Sequence, residues 1–239
     1  MEWSYSFLPC VAALLVFSPS AFGRNRQVLG TRTPGGESMI DPVELKRANE
    51  AFDRIRDLDA KGAANARAFR CYLEDLNGRN CSLVCEPHKT AIEIMRAAVL
   101  RSTIGALLSC LDTPDKRDNR ASVGQILTIL EEPGVFAVWQ PKDAGALGRI
   151  RADYDALLLT DRFGRCKELR NTDIAHLLML PTRTVEYTDI YSLNDAAEQM
   201  VVELCRFVRI VPECVAKRAH FEMHAKLFWD THFKAVTNA

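Results

Sequence analysis

Three features predict an all-α fold. Apolar residues supply 48% of the 239-residue chain but aromatics only 8%, with alanine and leucine abundant, a balance that favours packed helices over a sheet sandwich. Apolar positions recur at helical spacing in most segments beyond residue 40, and Asp, Ser, Thr, Pro and Gly punctuate them as helix starts and stops. The length suffices for one large domain or two small ones with a real core. We expect residues 1–40 to be a leader-like or upstream segment and residues 41–239 to form the helical domain.

The first 23 residues resemble a targeting segment. An apolar run from Phe7 to Phe17 leads to Ser18, Pro19 and Ser20, then to Ala21 and Gly23 as small residues placed for cleavage. The run is too short for a transmembrane helix, and MEWSYS carries Glu2 with no Lys or Arg, against the usual positive start. A second reading starts translation at Met39, because Gly35, Gly36 and Glu37 imply purine-rich codons like a bacterial ribosome-binding site and helical patterning begins just afterwards. Residues 24–40 are polar and broken by Gly and Pro, disordered or untranslated. The Met39 start implies a cytoplasmic protein with no membrane segment in the mature chain; a genuine signal peptide implies a secreted or periplasmic one. Without Cys10, seven of the eight cysteines remain, an odd number that cannot all pair within one chain. Cys110 and Cys205 sit in apolar helical surroundings as small buried thiols, which suits a reducing compartment. Cys81, Cys85 and His88 lack a second pair at metal spacing, so no metal site is assigned and no cofactor is expected.

Asp41 and Pro42 open the first helix, with Leu45, Phe52 and Ile55 inward to about Leu58. After Gly62 a second segment places Phe69, Tyr72, Leu73 and Leu76 on one face before Asn77 and Gly78, so the two form a pair or one long broken helix. Thr90 caps the strongest helix of this half, with Ile94, Ala97, Ala98, Arg101, Ile104 or Gly105, Leu108 and Leu111 or Asp112 on adjacent faces and Arg101 and Asp112 as its notable polar members. Ser122 and Gln125 form a capping box for a helix that Pro133 and Gly134 end. From Pro141 a helix runs to Leu159 with Leu147, Ile150, Tyr154 and Leu157 or Leu158 inward. Another starts near Asn171 and closes at Pro181; TRTVEYTDI reads as a short extended connection. Ser192 with Asp195 opens the next, burying Leu193, Met200, Leu204, Phe207 and Val208, and a last helix runs from Pro212 to about Phe233.

The densest cluster of chemically useful side chains lies between Glu168 and Tyr191. Arg170 and His176 are separated by the five residues NTDIA, with polar Asn171 directly after the arginine. A forked, permanently charged guanidinium suits a phosphate, and an imidazole moves a proton near neutrality, which together make the minimum kit for metal-free RNA cleavage. The structural alternative pairs Arg170 with Asp173 one turn on and leaves His176 as a satisfied histidine at a helix edge. His220 and His224 share a face but lack the HExxH arrangement. No Walker-type, GxSxG or GxGxxG element occurs, which disfavours P-loop, α/β-hydrolase and Rossmann chemistry. Lys plus Arg equals Asp plus Glu at 31 each, so no global field draws a polyanion, and no helix has the basic cluster of a DNA-recognition helix.

An Arg, a polar residue, a short spacer and a His in an all-helical chain resemble the HEPN superfamily of small bacterial RNases. The likeness is to its abortive-infection U-type branch and rests on AVLRSTIGALLSCLDTPDKRDNRASVGQIL (98–127), LRNTDIAHLL (169–178) and VEYTDIYSLNDAAEQMVVEL (185–204). The resemblance implies a HEPN-like helical bundle with flanking helices, a homodimer that brings two Arg/His motifs into one cleft, and RNA as substrate. It further implies a metal-independent endoribonuclease acting as a toxin or phage-defence effector, held in check by an antitoxin protein. In that reading Arg170 and His176 are catalytic, Asn171 orients a phosphate oxygen or the imidazole, and Asp173 tunes the histidine. Two alternatives stay open: a HEPN-like scaffold without catalysis, which net neutrality suits, and an exported helical protein with paired cysteines.

Overall fold

The computed structural model describes residues 40–79, 84, 86–113, 121–139, 143, 145–171 and 185–237, and these contain helices and no strand. The all-α expectation holds for them. Helix α1 (Pro42–Asp57) starts as its sequence suggests, with Asp41 Oδ1 accepting from the Val43 N–H at 2.8 Å and Pro42 in the first turn, where a missing N–H costs nothing. Its buried residues are Ala48, Ala51 and Ile55, so Ile55 is inward as the pattern suggests, whereas Phe52 is half-buried and Leu45 is 38% exposed.

The expected break at Gly62 is a wide turn instead. Leu58–Ala63 is π-helical and joins α1 to α2 (Ala64–Asn77) without interruption. Gly62 is required there by proximity, since a Cβ would come within 2.8 Å of Cys110 Sγ on α3 (Glu86–Leu111). Helix α3 begins before Thr90, which is therefore an interior residue. It buries Val99, Ile104, Leu107, Leu108 and Leu111, while Ile94 faces out at 65% exposure. By length and composition His88–Leu111 is apolar enough to cross a membrane; in the fold α3 packs against α2 and the π-helical turn.

Ser122 caps α4 (Val123–Leu130) by accepting from the Gln125 N–H, whereas the Gln125 carboxamide oxygen accepts from Arg54 of α1. Pro133 and Gly134 do not merely stop α4. Proline in a first turn is tolerated, and it opens α5 (Pro133–Trp139), where Gly134 lets Glu44 of α1 approach closer than any side chain would permit. Helix α6 (Ala146–Leu158) starts later than expected, after Gly145, with Leu147, Ile150, Tyr154 and Leu157 inward as anticipated.

Helix α7 (Asp161–Leu169), capped by Thr160 Oγ1 accepting from the Phe163 N–H, was not anticipated from the apolar pattern, and Arg170 stands at its end. The stretch expected as extended, TRTVEYTDI, instead contributes its last residues to α8 (Tyr187–Phe207), whose cap is Glu186 with Asp189 rather than Ser192 with Asp195. The inward side of α8 is as expected, with Leu193, Met200, Leu204, Phe207 and Val208 buried.

After α8 the chain turns through Arg209 at φ 60°, the left-handed conformation. The N–H groups of Arg209 and Ile210 return to the carbonyls of Arg206 and Cys205, a Schellman closure that usually employs glycine. A single turn, α9 (Glu213–Ala216), then precedes α10 (Arg218–Thr237), so the expected last helix is split at Lys217. Trp229 of α10 is fully buried and donates its indole N–H to the Tyr72 carbonyl at 2.8 Å, locking α10 to α2.

Candidate functional site

The guanidinium of Arg170 is where the ends of α3 and α7 meet. As C-cap of α7, Arg170 keeps helical dihedrals and donates its N–H to the Cys166 and Lys167 carbonyls, so its side chain leaves from an ordered turn. Phe163 and Cys166, two turns and one turn earlier along the same face, are buried beneath it. Two further arginines tie α7 to α8: Arg165 forks onto the Asp189 carboxylate at 2.8 and 3.0 Å, and Arg162 Nη1 donates to Ser192 Oγ at 2.5 Å. Bidentate Arg–carboxylate geometry fixes orientation as well as charge.

From this base Arg170 Nη1 donates to Asp112 Oδ1 at 2.9 Å, and Nε donates to Asn171 Oδ1 at 3.3 Å. Asp112 directly follows the last residue of α3. Its backbone is fixed by Tyr154 of α6, whose buried hydroxyl donates to the Asp112 carbonyl at 3.1 Å with the Leu111 carbonyl at 3.3 Å. Burial pushes the Tyr154 phenol up to about 12, so it stays a donor throughout the physiological range. The Arg170 and Asp112 side chains are 26% and 33% exposed, so the pair is accessible from solvent.

The structure thus joins Arg170 and Asn171, and adds Asp112, which sequence reasoning noted only as a polar residue of its helix. Arg170 pairs with Asp112 across α3 and α7; the alternative partner Asp173, and His176 itself, lie outside the described residues. Cys81 and Cys85 lie outside them too. Among the described residues no group of three His, Cys, Asp or Glu side chains is placed to hold a metal. His220 and His224 do share a face, with ring centroids 4.2 Å apart.

A second polar cluster, between α2 and α8, has a different character. Arg67 is 3% exposed and donates to Glu198 at 2.6 Å and to Asp195 at 3.3 Å; Arg70 reaches Glu74, Asp195 and the Tyr191 carbonyl and lies over the Tyr191 ring. Ser192 and Asp195, expected as a cap, are thus partners of arginines from α7 and α2. Every charge in this cluster has a partner in the protein, and its work is to hold α2 on α8.

The described cysteines Cys71, Cys110, Cys166, Cys205 and Cys214 are free and buried, and burial raises each thiol pKa, Cys71 to about 11 and Cys110, Cys166 and Cys205 to about 12. None has the exposed, electropositive setting of a reactive thiolate. No family model, curated protein or solved structure matches the chain.

Proposed function

We propose that the chain is a metal-independent endoribonuclease of HEPN type, a toxin or abortive-infection effector that works as a homodimer. The observation that supports this reading best is the solvent-accessible Arg170, held at the end of α7 beside Asn171 and separated from His176 by five residues in sequence. Cleavage by an RNA 2′-hydroxyl needs a base for its proton and an acid for the leaving 5′-oxygen, and one imidazole cannot be in both states at once. Two copies of His176 divide that work. One takes the 2′-hydroxyl proton as the oxygen attacks phosphorus, the P–O5′ bond breaks, and the other protonates the departing oxygen, leaving a 2′,3′-cyclic phosphate. Arg170 from each copy binds the phosphate and meets the charge that grows on its oxygens, a large catalytic contribution in a preorganised site. Asn171 orients a phosphate oxygen, Asp173 tunes the imidazole, and an antitoxin restrains the activity.

The ion pair of Arg170 with Asp112 favours a second reading, a non-catalytic HEPN-like binding module, because the pair spends part of the charge a phosphate would use. Induced expression of residues 39–239, wild type against His176→Ala, separates the two. Growth arrest with fragmented total RNA in the wild type alone supports the ribonuclease. Equal growth and intact RNA in both cultures, with both proteins soluble and no antitoxin gene present, favours the binding module.

A further inference from the structure

We infer that Asp112 is a positioning residue for Arg170, which turns the Nε/Nη2 edge of the guanidinium toward an incoming phosphodiester; the inference rests on the ribonuclease reading above. An arginine has two edges that can grip a phosphate with parallel N–H groups, and which one is offered decides where the phosphorus sits. Asp112 occupies Nη1 through a charge-assisted bond of 2.9 Å, while Nε meets only the neutral, exposed Asn171 carboxamide at 3.3 Å. Among the described residues Nη2 has no partner. The two contacts are unequal, so the one at Nε yields first. A phosphate that displaces the Asn171 oxygen takes Nε and Nη2 together, and Asn171 is freed to donate its amide N–H to a second phosphate oxygen.

The opposite role, an electrostatic block in which Asp112 repels RNA, fits the geometry less well. Ion pairs as exposed as this one are weak, worth about 0–1 kcal/mol, which is too little to bar a phosphate that gains bidentate contact. Asp112 is also anchored more firmly than a block requires, because Tyr154 donates to its carbonyl from a fully buried position on another helix. That anchoring fixes where the Asp112 carboxylate starts from, and hence where Arg170 is held.

The test compares wild type, Asp112→Asn and Asp112→Ala as full chains by RNA cleavage kinetics and by phenylglyoxal modification of Arg170 mapped by mass spectrometry. Asp112→Ala should lose kcat by on the order of ten- to a hundred-fold with KM little changed, as expected when a catalytic group is misplaced rather than deleted. Asp112→Asn, which keeps an acceptor for Nη1, should recover a substantial part. Cleavage by Asp112→Ala as fast as wild type or faster overturns the inference. If the wild type cleaves no RNA, the ribonuclease reading fails and the modification experiment decides alone. Arg170 reacting several-fold faster in Asp112→Ala than in wild type upholds the positioning role; equal rates overturn it.

Discussion

Arg170 and Arg67 show how differently one residue type is used in this chain. Arg67 is 3% exposed against Glu198, and removing one member of a buried ion pair strands the other charge. Arg67→Ala should therefore destabilise the protein by about 3–5 kcal/mol in urea or thermal unfolding. Asp112→Ala, at a pair open to solvent, should cost no more than about 1 kcal/mol. A result in which the two variants are equally destabilised would make Asp112 a purely structural residue. The sequence marked out Arg170 and Asn171 by chemistry and spacing and Asp112 as a polar residue, but it had no means of pairing Asp112 with Arg170. Helical pairing rules reach three or four residues along one helix, and they pointed instead to Asp173. The contact that forms joins the ends of two helices and depends on the packing of α3 against α7.

Elements were legible where local chemistry sets them and obscure where tertiary partners do. The cap at Asp41, the cap at Ser122 and the inward face of α8 follow from side chains a few residues apart. The π-helical turn does not, because its reason is remote: it carries Asp59, 3% exposed, whose carboxylate accepts from the Glu213 and Cys214 N–H groups at 2.5 and 3.0 Å and so caps α9 from across the core. Asp59→Ala should cost about 2–4 kcal/mol, since it leaves those buried donors without an acceptor, and hydrogen exchange at Glu213 and Cys214 should accelerate. A loss below about 0.5 kcal/mol would mean that water replaces the carboxylate. Arg209 predicts a gain. It is exposed and sits at φ 60° in a position that glycine occupies without penalty, so Arg209→Gly should stabilise the fold by about 1 kcal/mol. Unchanged stability would show that the Arg209 side chain makes up the backbone cost.

At the scale of the molecule, the buried thiols tie stability to alkaline pH. An ordinary thiol ionises near 9, whereas Cys110, Cys166 and Cys205 are raised to about 12 in the folded chain. Both states hold the proton below about pH 9, so the contribution is intact there; above it the unfolded chain ionises first and stability falls toward pH 12, by up to about 1.4 kcal/mol per pH unit for each thiol. Unfolding free energies measured from pH 8 to 10.5 should decline with that sign, and cysteine-to-alanine variants should flatten the slope. A profile flat to pH 10.5 would mean that the thiols ionise as freely folded as unfolded. The proposed cleavage of RNA by Arg170 and His176 belongs to this scale, because it calls on the helical frame, the Arg170 site and a second copy of the chain together. Its most direct measurement is the 3′ end left on a defined RNA by purified protein in EDTA. Attack by the 2′-hydroxyl leaves a 2′,3′-cyclic phosphate, expected from the wild type, with no cleavage by folded Arg170→Ala or His176→Ala. Equal cleavage by the His176→Ala variant, or a 3′-hydroxyl product, would contradict it.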